Sequence, residues 1–111
     1  MKLIIAIVQP FMAAEVYRAL HGVHAVTGAT FTDVRGFGRG RRHGAPNVEE
    51  IPDGTPKVRV EVVVRDVLAG EVAQAMRQAA RTGNRGDGKV FVLPVECALR
   101  IADDEEGEGV V

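Results

Sequence analysis

The chain repeats itself, and the repeat limits its fold more than any other feature. The run 2-KLIIAIV-8 is followed by Glu15-Val16 and then Ala19-Leu20. The run 57-KVRVEVV-63 is followed by Glu71-Val72 and then Ala75-Met76, at nearly the same intervals. Each half reads strand, helix, strand. Residues 2–8 are short, β-branched and almost continuously apolar, which predicts a strand covered on most of both faces. Residues 12–21 place Met12, Val16, Ala19 and Leu20 on one helical face, and Gly22 offers a stop. Residues 25–35, with Val26, Ala29, Phe31, Thr32 and Val34, read as a long and less regular strand. In the second half, 57–64 puts Val58, Val60, Val62 and Val64 on one face. Residues 67–80 space Leu68, Val72, Met76 and Ala79 as a helix does. Residues 89–95, KVFVLPV, form a last strand, and Pro94 assigns it to a sheet edge or a strand end.

The order βαβ-βαβ predicts an α+β, ferredoxin-like split βαβ fold: a four-stranded antiparallel sheet with two helices on one face. The other face also needs cover. The first strand is apolar on both faces, and so is Val62-Val63-Val64. Left bare, that surface would be a large apolar patch. The sequence therefore predicts an oligomer whose subunits bury their sheets against each other.

A length of 111 residues suits one domain, 1–111. A net charge of −1 argues against a nucleic-acid coat or a membrane-surface binder. A single cysteine, Cys97, excludes an intrachain disulfide and fits a reducing cytoplasm. It has no nearby histidine to activate it and reads as a buried strand residue. The apolar N-terminal run ends at Gln9-Pro10 without a small-residue cleavage site, so it reads as a strand rather than a signal peptide. No window reaches the roughly 18–20 apolar residues that would span a bilayer.

Between the second and third strands the composition changes. Residues 36–56, GFGRGRRHGAPNVEEIPDGTP, hold five glycines, three prolines and almost no aliphatic residue. A loop of this length in a compact domain is commonly functional or mobile. Its start, 35-RGFGRGRRHG-44, faintly resembles RNA-binding arginine–glycine segments. Base stacking on this fold needs exposed aromatics on the two central strands. KVRVEVVV offers none and KVFVLPV offers one, so nucleic acid is not an expected partner.

A second glycine run, 82-TGNRGDGKVFV-92, satisfies the first part of the Walker A pattern, G-x-x-x-x-G-K. It fails the rest, because Val90 stands where Ser or Thr would hold magnesium. It also leads from a helix into a strand, so no helix N-terminus follows to receive phosphates. Two readings stay open. Successive backbone N–H groups could form an anion nest with Lys89 at its edge, while Asp87 fixes the turn. Equally, the glycines could simply end a helix and start a strand.

The remaining candidates are weaker. His21 and His24 flank a helix end and His43 lies in the long loop; with Cys97 they lack zinc-site spacing. His43, Glu49, Glu50 and Asp53 share the long loop and could hold a small metal site there. Asp103-Asp104-Glu105-Glu106 reads as a solvated, mobile acidic tail, or as a segment folded over a neighbouring subunit's cleft. No catalytic Ser-His-Asp set or carboxylate pair is placed by the sequence, and no enzyme activity is expected.

Taken together, these residues resemble the PII signal-transduction family over nearly the whole chain. The match includes KLIIAIVQPF, Thr32-Asp33-Val34-Arg35-Gly36-Phe37-Gly38-Arg39, Pro56-Lys57-Val58, and above all the run from Thr82-Gly83 through Gly86-Asp87-Gly88-Lys89-Val90-Phe91-Val92. The resemblance implies a homotrimer with an adenine-nucleotide site, for ATP or ADP, in each intersubunit cleft. Arg39, Gly86, Asp87, Gly88 and Lys89 would hold phosphates, and Arg100 would reach them across the subunit boundary. Ile7, Thr30, Gly36, Phe37, Gly38, Glu61 and Val63 would surround adenine and ribose. Residues 36–56 would be the family's T-loop, docking onto a transporter or enzyme and changing shape with the bound nucleotide.

This sequence also departs from the family. The glutamine that helps bind magnesium and 2-oxoglutarate is replaced by Gly40, which weakens any magnesium site; Lys57 keeps the other metabolite-binding position. The family's second C-terminal arginine is Ala102, one triphosphate contact fewer, which favours competition by ADP or AMP. The long loop has no tyrosine to uridylylate, since the single tyrosine is Tyr17. The other function the sequence allows is a nucleotide-independent module that recognises a transporter or a metal-linked partner.

Overall fold

The structure is a computed structural model that describes residues 1–38 and 54–111. Strand β1 (Lys2–Val8) leads through a short 3₁₀ turn (Pro10–Met12) into helix α1 (Ala13–His21). Strands β2 (Thr30–Gly36) and β3 (Thr55–Val64) follow, then helix α2 (Asp66–Ala80) and strand β4 (Gly88–Pro94). All pairings are antiparallel and the strand order is β2-β3-β1-β4. This is the split βαβ arrangement that the internal repeat predicts.

One face of the sheet carries the core. Ile4, Ala6 and Val8 of β1 and Val58, Val60, Val62 and Val64 of β3 are buried against Val16 and Leu20 of α1 and Ala69, Val72, Met76 and Ala80 of α2. The period of two on the strands and of 3.6 on the helices is what brings these side chains together. Ala69 and Ala80 belong to the core although the helical spacing marked Leu68 and Ala79, which are only partly buried. β4 is an edge strand and Pro94 is its last residue, where a missing N–H costs the ladder nothing.

Four local expectations change. β2 begins at Thr30 rather than at residue 25, because the Val26 N–H donates to the Val23 carbonyl in a turn that tucks both valines under the core. Gly22 stays right-handed at φ −75°, so α1 does not end on a left-handed glycine. Cys97 is exposed rather than buried, because the sheet has already ended: β4 stops at Pro94, and the Val95 N–H donates to the carbonyl of Met1, the residue before β1. The acidic end is not a bare tail. The Arg100 N–H donates to Glu105 O and the Gly107 N–H to Ala98 O, each at 2.9 Å, closing a hairpin with a bridge between Leu99 and Glu106.

The long loop is bounded by paired strands. Gly36 faces Thr55 and Arg35 faces Pro56, so Gly36, Thr55 and Pro56 belong to the sheet rather than to the loop. Gly54, at φ 80°, passes so near β2 that a Cβ would lie 3.1 Å from the Gly36 carbonyl oxygen. Arg39, Gly40, His43, Glu49, Glu50 and Asp53 lie outside the described residues.

Candidate functional site

Antiparallel register sorts the candidate residues onto the helix-free face, since directly paired residues project to the same side. Ile7 pairs with both Lys89 and Arg59, and Arg59 in turn with Thr32. One step along, Ile5 pairs with Phe91 and Glu61, and Glu61 with Thr30. Leu3 pairs with Leu93 and Val63. Ile7, Thr30, Lys57, Glu61, Val63 and Lys89 therefore share a face. The end of this face near Leu3 is apolar. The end near Ile7 is charged, and there Arg59 Nε lies 2.8 Å from Glu61 Oε1.

The glycine loop enters β4 at the charged end. Its shape is set by one carboxylate. Asp87 Oδ2 accepts the N–H groups of Thr82 at 2.7 Å and Gly83 at 2.9 Å, and Oδ1 bonds the Thr82 hydroxyl. The Asn84 N–H reaches that hydroxyl at 3.3 Å, and the Asp87 N–H closes the turn on Asn84 O at 3.4 Å. These donors, the Thr82 hydroxyl foremost, hold the Asp87 carboxyl below the usual carboxylate range. Asp87 is thus the internal brace of the turn. Gly83, Gly86 and Gly88 all have positive φ, the conformation that lets backbone N–H groups turn toward a common side.

Lys57 ties this loop to the neighbouring strand. Its Nζ donates to Gly86 O at 2.9 Å, across 29 residues of sequence. Partial burial lowers its pKa, and the nearby Asp87 charge works against that shift. Lys57 stands two residues after Thr55, which pairs with Gly36 at the mouth of the long loop. One ammonium therefore links the base of the long loop to the glycine turn.

The structure brings Ile7, Gly86, Asp87, Gly88, Lys89 and Lys57 to one end of the sheet, with Gly36, Phe37 and Gly38 beside them at the end of β2. Phe37 is exposed. Thr30, Glu61 and Val63 lie farther along the same face. Arg100 does not join them within one chain. It follows β4, whose seven residues span about 20 Å, and its guanidinium bonds Asp103 Oδ2 at 3.1 Å. Among the described residues no three His, Cys, Asp or Glu side chains gather to hold a metal ion. No helix among them is long and apolar enough to cross a membrane.

Three participants were not marked by sequence reasoning as site residues. Thr82 supplies the hydroxyl that locks Asp87. Arg77 and Arg81 line a cleft of about 410 Å³ together with Asp87, Gly88 and Lys89. Their i, i+4 spacing at the end of α2, directly before the glycine run, was the available signal.

Comparison with known proteins bears on the family of the chain. Residues 1–105 match the family model described as nitrogen regulatory protein P-II. The chain is similar to the nitrogen regulatory protein P-II of Azospirillum brasilense, at 46% identity over 96% of both chains. It is as similar to that of Rhizobium meliloti, with the same identity and coverage. The Haemophilus influenzae protein is 42% identical over the full length of both.

Proposed function

This chain belongs to the P-II family of nitrogen regulatory proteins, and from that premise we propose that it is a non-catalytic sensor of adenine nucleotides. ATP or ADP binds in clefts between the subunits of a trimer, and the long loop at 36–56 reports the bound state to a transporter or enzyme. The cell compartment for such a sensor is the cytoplasm. The observation that carries the reading is the convergence of the Asp87-braced glycine turn, Lys89, Ile7 and the mouth of the long loop at one end of the sheet. An anion nest beside a loop base gives a nucleotide the means to bias that loop. It does so only by binding one loop conformation better than another.

Phosphates bind to the backbone of Gly86, Asp87 and Gly88 and to Lys89, with Arg39 from the loop and Arg100 from a neighbouring subunit. Ile7, Thr30, Gly36, Phe37, Gly38, Glu61 and Val63 enclose adenine and ribose. Hydrolysis is not part of the function. Val90 offers no hydroxyl for magnesium, and Gly40 has no side chain to help hold it. A 2-oxoglutarate molecule would find Lys57 already bonded to Gly86 O and no ligand at Gly40, so it adds little affinity.

Titration calorimetry with ATP, ADP and AMP, with and without magnesium and 2-oxoglutarate, tests the reading. Nucleotide binding tighter than millimolar is expected. Lys89→Ala weakens it by about 1.5–3 kcal/mol, the size of a hydrogen bond to a charged group. If no nucleotide binds, the loop acts as a nucleotide-independent docking module and this proposal fails.

A further inference from the structure

One cavity of the molecule takes no part in the nucleotide cleft. It measures about 280 Å³ and lies where the end of α1, the turn at 22–29 and the start of β2 meet. Phe31, in its wall, pairs with the buried Val60 and so projects to the helix-covered side of the sheet. Thr30, placed at adenine in the proposed function, projects to the uncovered side. The two sites are therefore separate. Buried Leu20 and partly buried Val23 and Val26 give the cavity an apolar base. Rings stand over that base. The Tyr17 ring centroid lies 5.6 Å from that of His21 and 5.9 Å from that of Phe31, tilted to both. Tyr17 is 55% exposed, so its ring is open to a ligand, and His24 adds a second imidazole to the lining.

The electrostatics of this cavity favour positive charge. Its lining holds no Asp, Glu, Lys or Arg, and Glu15 and Arg18 of α1 bond each other instead. The faces of aromatic rings are electron-rich and attract a cation within about 6 Å. The carbonyl end of α1 adds partial negative charge at the same place. There the Gly22 N–H donates to Arg18 O at 3.0 Å and the Val23 N–H to Leu20 O at 3.1 Å. Among the described residues no backbone N–H reaches the carbonyls of Ala19 and His21. An anion would be repelled by ring faces and carbonyls alike, and an uncharged molecule would gain from neither. We propose that the cavity beside Tyr17, His21 and Phe31 binds a small organic ammonium ion. Its volume is at the small end of ligand sites, which begin at roughly 300 Å³. That suits an alkylammonium head group with a short chain and is too little for a nucleotide.

The test titrates the full chain with choline and with dimethylbutanol, its uncharged carbon isostere, following amide NMR shifts. Mildly alkaline pH is used, where imidazole is neutral. Choline is expected to give saturable shifts confined to residues 17–31 and to bind about tenfold tighter than dimethylbutanol. Tyr17→Leu removes the central, exposed ring and is expected to weaken choline about tenfold while leaving nucleotide affinity unchanged. His21→Lys sets a fixed cation beside the rings and should abolish choline binding. His21→Phe keeps a ring and should retain binding within about threefold of the wild type. Circular dichroism checks that each variant folds. Equal affinity for the two probes makes the cavity simply apolar and overturns the proposal. So does the absence of saturable shifts at 17–31, or a Tyr17→Leu chain that binds choline as the wild type does. Failure of nucleotide binding leaves these outcomes as they stand, since the two sites lie on opposite faces of the sheet.

Discussion

Gly88 holds φ at 108° while its α-carbon presses against β1, where a Cβ would stand 1.7 Å from the Ile7 carbonyl oxygen. Backbone must move to admit any side chain, so Gly88→Ala is expected to cost at least about 2 kcal/mol. Gly83 has φ 89° but open space around it. Gly83→Ala therefore meets only the conformational penalty of roughly 1–2 kcal/mol. Urea denaturation of the two variants ranks them, and equal losses would mean that the clash at Gly88 is relieved by a small shift. Asp87 gives a pH test. Its folded pKa lies below its unfolded value, lowered first by the Thr82 hydroxyl and then by backbone N–H groups. The stability it contributes is present above the unfolded carboxylate pKa of about 3.9 and is lost as pH falls through the folded pKa. Asp87→Asn should therefore be less stable than the wild type near neutrality, with the gap narrowing as pH falls below about 4. A gap independent of pH would show that the charge is not what braces the turn.

Lys57 belongs to β3, yet its effect is on the next element but one. Lys57→Met keeps the aliphatic stem and removes the donor to Gly86 O. The bond is partly exposed, so the expected loss of global stability is modest, about 1 kcal/mol. The local effect should be larger: amides of Gly83 through Gly88 should exchange with solvent faster while core amides of β1 and β3 do not. Unchanged exchange in the turn would mean that Asp87 alone holds it. The elements themselves were largely legible in the sequence, because alternation on β3 and helical spacing on α2 each report a single buried face. Cys97 was misread because burial there depends on where the sheet stops, which Pro94 and the Val95–Met1 bond decide. The hairpin at 98–107 was missed because backbone bonds hold it rather than an apolar pattern. At the site, the glycine turn and its Asp87 brace were both visible in the sequence. The Thr82 hydroxyl that locks the carboxylate was not, because which side chain turns back onto Asp87 depends on backbone direction that residue spacing does not carry.

Among the described residues the sheet has one face covered by helices and one that is not. On the uncovered face Leu3, Ile5, Val63, Phe91 and Leu93 are brought together by register. Phe91 is 48% and Leu93 40% exposed, more than an isolated domain gains from showing. The charged row at the other end of the face, with Arg59 and Lys89, would tolerate water. The apolar row would not, so a partner's sheet should seat there. Ile5 and Ile4 are neighbours in sequence but point to opposite faces, and they separate assembly from folding. Ile5→Lys puts a charge on the uncovered face, and it should weaken association at least a hundredfold in sedimentation while leaving the unfolding midpoint of the isolated subunit nearly unchanged. Ile4→Ala cuts a cavity in the core, where Ile4 is fully buried, and it should cost about 2–5 kcal/mol of stability while leaving the association surface intact. If Ile5→Lys assembles as the wild type does, the uncovered face is not the interface. The copies would then have to be held by the edges of the sheet and the hairpin alone.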